Sequence, residues 1–229
     1  MSTPASRVDA HGDAMSACCS TYANVAGAHF DEKIANRDLE NYRKKGLGPT
    51  ARLLRDLLAD TGAVDGTLLD VGSGVGGLSF ELLDRGIERA IAVDASAAYL
   101  AAATQEATRR NRLRAVDFVH GDFVDVGTQI PPATVVTLDR VVCCYPAFGP
   151  LLNESLRHAE RSFAYSYPRD VWYVHVAIVV ENGIRQLKGN PFRAFVHPVD
   201  RMNRLIESAG FHLGARRRTW QWSADVWVR

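Results

Sequence analysis

An acid two residues ahead of a glycine-rich run offers the clearest chemistry in this chain: Asp70-Val71-Gly72-Ser73-Gly74-Val75-Gly76-Gly77. Glycines at such a turn take positive φ without strain and let a ligand approach the backbone without meeting a Cβ. Apolar residues over 66–71 precede the run, and a helical pattern over 78–83 follows it. A strand, a glycine turn and a helix start with free backbone N–H groups make a bed for a nucleotide cofactor at the edge of a doubly wound sheet. Gly72-x-Gly74-x-x-Gly77 also satisfies the dinucleotide fingerprint, and a glycine triplet alone serves ordinary turns as well. Asp70 tilts the reading. Its carboxylate would repel a pyrophosphate but suits a ligand with a cationic amino group and a sulfonium.

Three further acids stand where strands should end. Residues 90–94 read as a second strand closing on Asp94, followed by Ala95 and by Ser96 as N-cap of a helix over 97–110. Residues 116–123 read as a third strand running into His120-Gly121-Asp122-Phe123. Residues 134–142 read as a fourth, apolar enough to be central, passing Leu138-Asp139-Arg140 and leading to Cys143-Cys144-Tyr145-Pro146. A short helix over 153–161 and a strand over 162–166 come next. Strands separated by helical patterns predict βαβ units and a parallel sheet. The rhythm then changes. Residues 171–187 read as a helix that is apolar on more than one face, and His197-Pro198 opens another that stops at Ala209-Gly210. Residues 211–213 and 224–228 read as an antiparallel hairpin. Ahead of the glycine turn, helical spacing over 30–43 puts Phe30, Ile34 and Tyr42 on one side, and a second helix covers 50–59.

In this order and spacing the elements resemble the class I S-adenosylmethionine (SAM) methyltransferases of small-molecule type, over about residues 50–229. The resemblance implies an α/β, Rossmann-like doubly wound sheet of seven strands, six parallel and one antiparallel, with an N-terminal helical cap. It implies SAM as cofactor and S-adenosylhomocysteine (SAH) as product. It lays the cofactor over Gly72, Ser73 and Gly74 behind Asp70, with the ribose on Asp94 beside Ala95. A carboxylate there can accept two hydrogen bonds from a vicinal diol. Asp122 would receive the adenine amino group, Phe123 would cover the ring, and Asp139 would lie beside the methyl donor. The cap would add Tyr42 as an aromatic wall and Arg43, Lys44 or Lys45 for the methionine carboxylate. This N-terminal and first-motif layout is also loosely similar to magnesium-protoporphyrin O-methyltransferases, without fixing a substrate. The expected organisation is a disordered terminus over 1–14, a cap over 15–49, and a SAM-binding domain over 50–229 with a lid insertion around 167–196.

Composition narrows the partners. With 27 basic and 26 acidic side chains, no global field draws the chain to nucleic acid, and Arg216-Arg217-Arg218 reads as a solvated strand end. No Asn/Asp-Pro-Pro-Tyr/Phe motif follows the fourth strand, which argues against methylation of exocyclic base nitrogens. The longest apolar run, 171–180, is about half the ~20 residues of a membrane span, and the N-terminus lacks a secretory signal. The cysteines form two adjacent pairs, Cys18-Cys19 and Cys143-Cys144, which is neither a disulfide framework nor metal-ligand spacing. A cytoplasmic protein without a metal is expected.

Methyl transfer from a sulfonium is an in-line displacement by an acceptor held close in a water-poor site. A base matters only if the acceptor must lose a proton, and His197 and Tyr145 are the candidates. His175, inside an apolar run, reads as a packed residue. The apolar breadth of 167–196 points to a small hydrophobic or aromatic acceptor under a lid, methylated on oxygen or nitrogen, or else to a subunit interface in a homodimer. Three other functions remain open: a SAM-binding protein that transfers nothing, an NAD-dependent oxidoreductase using the glycine triplet, and a non-methylating SAM or decarboxylated-SAM enzyme on the same fold.

Overall fold

The computed structural model describes Val25 and residues 29–229. The expected disordered stretch, the first part of the cap and the Cys18-Cys19 pair lie outside the described residues.

Helix α1 (Glu32–Lys45) starts where Asp31 accepts the Ile34 N–H at 2.9 Å and ends at Gly46. It buries Ala35, Leu39 and Tyr42. Helix α2 (Pro49–Asp60) begins on a proline, whose missing N–H costs nothing in a first turn, and buries Leu54, Leu57 and Leu58. Then come β1 (Thr67–Val71), α3 (Gly77–Leu83), β2 (Arg89–Asp94), α4 (Ala97–Arg109), β3 (Val116–His120), the single turn α5 (Phe123–Val126) and β4 (Ala133–Leu138). The chain continues through α6 (Phe148–His158), β5 (Ala159–Pro168), α7 (Trp172–Leu187), α8 (Val199–Ser208), β6 (His212–Arg218) and β7 (Trp222–Val228).

The seven strands form one sheet in the order β3-β2-β1-β4-β5-β7-β6. Strands β1 to β5 pair in parallel, and β7 runs antiparallel to both of its neighbours. Six strands thus share one direction and β7 opposes them, as the sequence predicts. Side chains alternate across a strand, and the core divides accordingly. Leu68, Ala164 and Val226 face α2 and α3, while Leu69, Tyr165 and Trp227 face α6 and α8.

Several boundaries differ from the expected ones. The fourth strand stops at Leu138 instead of reaching 142, because Arg140 turns the chain at φ +59° and Val142–Cys144 close a 3-10 turn. Helix α6 starts earlier than expected and ends at His158, whose Nδ1 lies 2.8 Å from the Glu154 carbonyl. That frees 159–161 to lengthen β5. The arginine run lies within β6, and Arg216 forks onto the buried Asp225 at 2.7 and 2.6 Å rather than standing solvated.

The cap is pinned to α4 near the carboxyl end of β2. Arg43 pairs with the buried Glu106 at 2.9 Å, and the Tyr99 hydroxyl donates to Asp38 at 2.7 Å. Ser96 receives the Tyr99 N–H at 3.2 Å as N-cap of α4, and its hydroxyl donates to the Phe30 carbonyl at 2.6 Å.

Candidate cofactor and acceptor site

The glycine turn lies between the ends of β1 and β2. Gly72 and Ser73 donate their N–H groups to the Val93 carbonyl at 2.8 and 3.1 Å, which folds the turn back over β2. Gly72 sits at φ +65°, and a Cβ there would lie 2.4 Å from the Val141 side chain, so only glycine fits. Gly74, at φ +55°, would meet nothing within 4 Å: this position faces open space.

Asp70 is almost wholly buried. Ser79 donates to one of its oxygens at 2.6 Å and Thr137 to the other at 2.7 Å. Burial pushes its carboxyl up to about 6, against the pull of the two hydroxyls. The carboxylate therefore braces the turn, joining β1 to α3 and β4. What it offers a ligand is negative charge at the cavity floor. Neither Ser79 nor Thr137 carried a signal in the sequence.

Asp94 ends β2 and accepts the Gly74 N–H and the Ser96 N–H, each at 2.8 Å. Burial pushes its carboxyl to about 6 as well, while those two N–H groups pull the other way. Asp122 accepts the Val124 N–H at 3.0 Å and the Tyr145 hydroxyl at 2.6 Å, both on Oδ1. Its Oδ2 is buried without a hydrogen-bond partner among the described residues, as is the Ser73 hydroxyl. Unmade hydrogen bonds at buried polar atoms cost about 1–3 kcal/mol each.

One cavity of about 880 Å³ joins these groups. Asp70, Gly72, Ser73, Gly74, Asp94, Ala95, Asp122, Phe123 and Asp139 line its bed, and Tyr42 stands on the cap side. All ten residues expected to hold the cofactor thus lie on one cavity. The expected cations separate: Arg43 is paired with Glu106 and Lys44 with Glu40, whereas Lys45 lines the cavity together with Arg52, which the sequence reading did not name. Tyr42 turns its hydroxyl toward the Gly77 carbonyl at 3.4 Å, and burial holds its phenol well above the usual range.

The two candidate bases stand differently toward the cavity. His197 does not line the cavity; its Nε2 lies 3.1 Å from the Val142 carbonyl and 3.0 Å from the Tyr145 carbonyl. A nitrogen held by two carbonyls must carry a proton, so it donates there and latches the loop after β4. Burial lowers the His197 pKa, against the pull of the two carbonyls. Tyr145 does line the cavity, but its hydroxyl is spent as a donor to Asp122. His175 is exposed, paired with Asp170 at 2.7 Å.

The far side of the cavity is roofed by the inner face of α7 and the loop behind it. Ile178, Glu181 and Arg185 of α7, Phe192 and Ala194 of the loop, and Pro168 and Trp222 line it. Arg185 lies over the Phe192 ring, 5.1 Å from its centroid. Asn182 ties the loop to α7, donating to the Ala194 carbonyl at 2.8 Å and accepting its N–H at 2.9 Å. At the sheet edge below, Ser166 donates to Asp139 at 2.6 Å and accepts the Arg140 N–H at 2.8 Å.

Strand order, reversed β7 and glycine turn define a class I, Rossmann-like methyltransferase fold. Residues 68–164, from β1 into β5, match the protein family described as "Methyltransferase domain". Among solved structures, magnesium protoporphyrin IX methyltransferase from Synechocystis PCC 6803, determined with bound SAH, superposes with a TM-score of 0.70 at 19% identity. That match covers 91% of this chain and 99% of the other. An O-methyltransferase family protein from Burkholderia thailandensis gives 0.69 at 14% identity, covering 87% of this chain and 60% of that one. Human N-acetylserotonin methyltransferase in complex with SAM gives 0.61 at 16%, covering 87% and 56%. No curated protein sequence matches this one. At such identities the solved structures speak for the fold, and the chemistry must come from the site.

Proposed function

We propose that this chain binds SAM and transfers its methyl group to the oxygen or nitrogen of a small, hydrophobic or aromatic acceptor. The observation that carries the reading is the pair of buried atoms on one cavity, Asp122 Oδ2 and Ser73 Oγ, that have no hydrogen-bond partner among the described residues. An adenine amino group is the donor that Asp122 Oδ2 lacks, and the methionine portion of the same ligand supplies a polar partner for Ser73. Asp94 accepts from the ribose, Phe123 and Tyr145 wall the base, and Lys45 and Arg52 face the carboxylate.

SAM supplies a methyl group already activated on a sulfonium. The chain's own task is to hold the acceptor in line and exclude water. Ile178, Phe192, Trp222 and Pro168 give the acceptor side its apolar walls, and Asp139 is a carboxylate on the same cavity, at the end of β4. Where the acceptor must shed a proton, Asp139 takes it. The adjacent thiols of Cys143 and Cys144 are free, as suits a protein working in the reducing cytoplasm.

Calorimetric titration with SAH, with NAD⁺ in parallel, tests the cofactor. Binding of SAH alone, followed by turnover of SAM on a panel of phenols, amines and carboxylates, is the expected result. Binding of NAD⁺ in its place would sink the reading, and SAH binding without turnover on any acceptor would leave a SAM-binding protein.

A further inference from the structure

Helix α7 has two working faces. Its inner face roofs the cavity through Ile178, Glu181 and Arg185, while its outer face is bare. Trp172, Val176, Val179, Val180, Ile184 and Leu187 all project outward, with Val179 70% and Leu187 89% exposed. At 100° per residue these six span an arc of about 140° along a helix about 24 Å long. No charged residue lies within that arc; the other residues on it are Tyr173, whose hydroxyl donates to the Trp220 carbonyl at 2.8 Å, and Gly183, where a Cβ would meet nothing within 4 Å.

The geometry points to a second copy of this chain as the cover, its α7 packed antiparallel on this one about a two-fold axis. Area supports it. Six side chains exposing half to nine-tenths of their surface present on the order of 700 Å². A monomer rarely shows more than a few hundred Å² in one patch, and one partner's share of a standard interface is about 800 Å². Spacing supports it too. Val176, Val180, Gly183 and Leu187 recur at intervals of four, three and four, the spacing of a helix-on-helix seam. The face is also self-complementary, as a two-fold contact requires. With the axis between Val179 and Val180, Trp172 of one copy meets Leu187 of the other, and Val176 meets the gap at Gly183.

Charge argues against a lipid surface. Interfacial helices commonly carry a fringe of Lys and Arg beside the apolar face. Here one flank carries His175, paired with Asp170, and Gln186; the other carries Ala177 and Glu181, which pairs with Arg185, and a single exposed Lys188 at the helix end in place of a fringe.

Sedimentation equilibrium of the full chain, without ligand, tests this independently of the transferase reading. The expected mass is twice 25.2 kDa at micromolar concentration, falling to 25.2 kDa in the double variant Val179→Glu/Val180→Glu. Because both side chains are exposed, the variant should keep its circular dichroism spectrum and melting temperature. A monomeric wild type overturns the proposal, and so does a dimer that survives the double substitution. Two further arms would reassign the face if the wild type proves monomeric. Flotation with phosphatidylcholine–phosphatidylglycerol vesicles, lost in the variant, would give it to a membrane. Association appearing only after deletion of residues 1–24 would give it to the chain's own N-terminus.

Discussion

The Tyr145 hydroxyl donates to Asp122 Oδ1 at 2.6 Å and so ties the loop after β4 to the turn after β3. It leaves Oδ2, which has no partner among the described residues, as the oxygen that can serve a ligand. Burial raises the Asp122 pKa, and the phenol's hydrogen bond works against that rise, favouring the ionised form that can only accept. On the proposed reading Tyr145 is a positioning residue.

Tyr145→Phe should therefore weaken SAH binding several-fold, up to about tenfold, the worth of one hydrogen bond to a charged group. The turnover number at saturating SAM should scarcely change. A general base at this position would instead lower it by about 10²–10⁴. Separate measurement of kcat and of the KM for SAM distinguishes the two roles.

Asp94→Ala removes the proposed ribose acceptor and releases the Gly74 N–H that holds the turn. SAH affinity should fall by about 1–3 kcal/mol. Titration calorimetry reads this directly, and unchanged affinity in a folded variant would refute the ribose assignment.

The pH dependence follows from Asp70 and Asp94, both raised by burial to about 6 from a model-compound value of 3.8. Between about pH 4 and 6 the folded chain holds more protons than the unfolded one, so stability of the free protein falls as pH rises through that window. Ligand affinity runs the opposite way, since SAM binding favours ionised carboxylates. A ligand requiring ionised Asp94 should bind about tenfold more weakly at about pH 5 than at neutrality. Titrations across this range, paired with melting curves of the free protein, should show the two opposed slopes.

Much of this was legible because it is local. The strand, turn and helix around Gly72 and Gly74 occupy consecutive residues, and Asp94 and Asp122 stand at strand ends that apolar runs delimit. The roles of Asp70, Tyr145 and His197 were not legible, because each is set by a contact distant in sequence. Thr137 reaches Asp70 across 67 residues, and His197 reaches the Val142 carbonyl across 55. A histidine before a helix looks the same in sequence whether its nitrogen faces a cavity or two carbonyls. Arg52 was missed because its neighbours read as an ordinary amphipathic helix. The sequence misleads at the end of β4 because Val141 and Val142 are good strand formers, overridden by the turn at Arg140.

His197→Ala should lower the stability of the fold by about 1–3 kcal/mol, since two buried carbonyls lose their donor. Turnover per folded molecule should persist, whereas loss of a base would abolish most of it. Urea unfolding and active-site titration together separate these effects.

Gly72→Ala should destabilise the protein through two separable causes, a left-handed backbone and overlap with Val141. The backbone part alone is about 1–2 kcal/mol. Val141→Ala in the same chain should relieve the overlap and restore part of the melting temperature but not all of it. Full restoration would show that backbone strain at Gly72 is negligible.

The two sides of the cleft are made of different material. The cofactor bed is the rim of the sheet itself, where β1, β2 and β4 end and a backbone turn is bolted to Val93 and Asp94. The wall proposed for the acceptor is mostly one helix and a following loop, joined to each other by Asn182, with Pro168 and Trp222 of the sheet edge beside them. Such a division lets selection rewrite one side while the other is kept. On that reading substrate preference can drift largely within one contiguous segment, and the same segment is the natural place to graft a new preference by design.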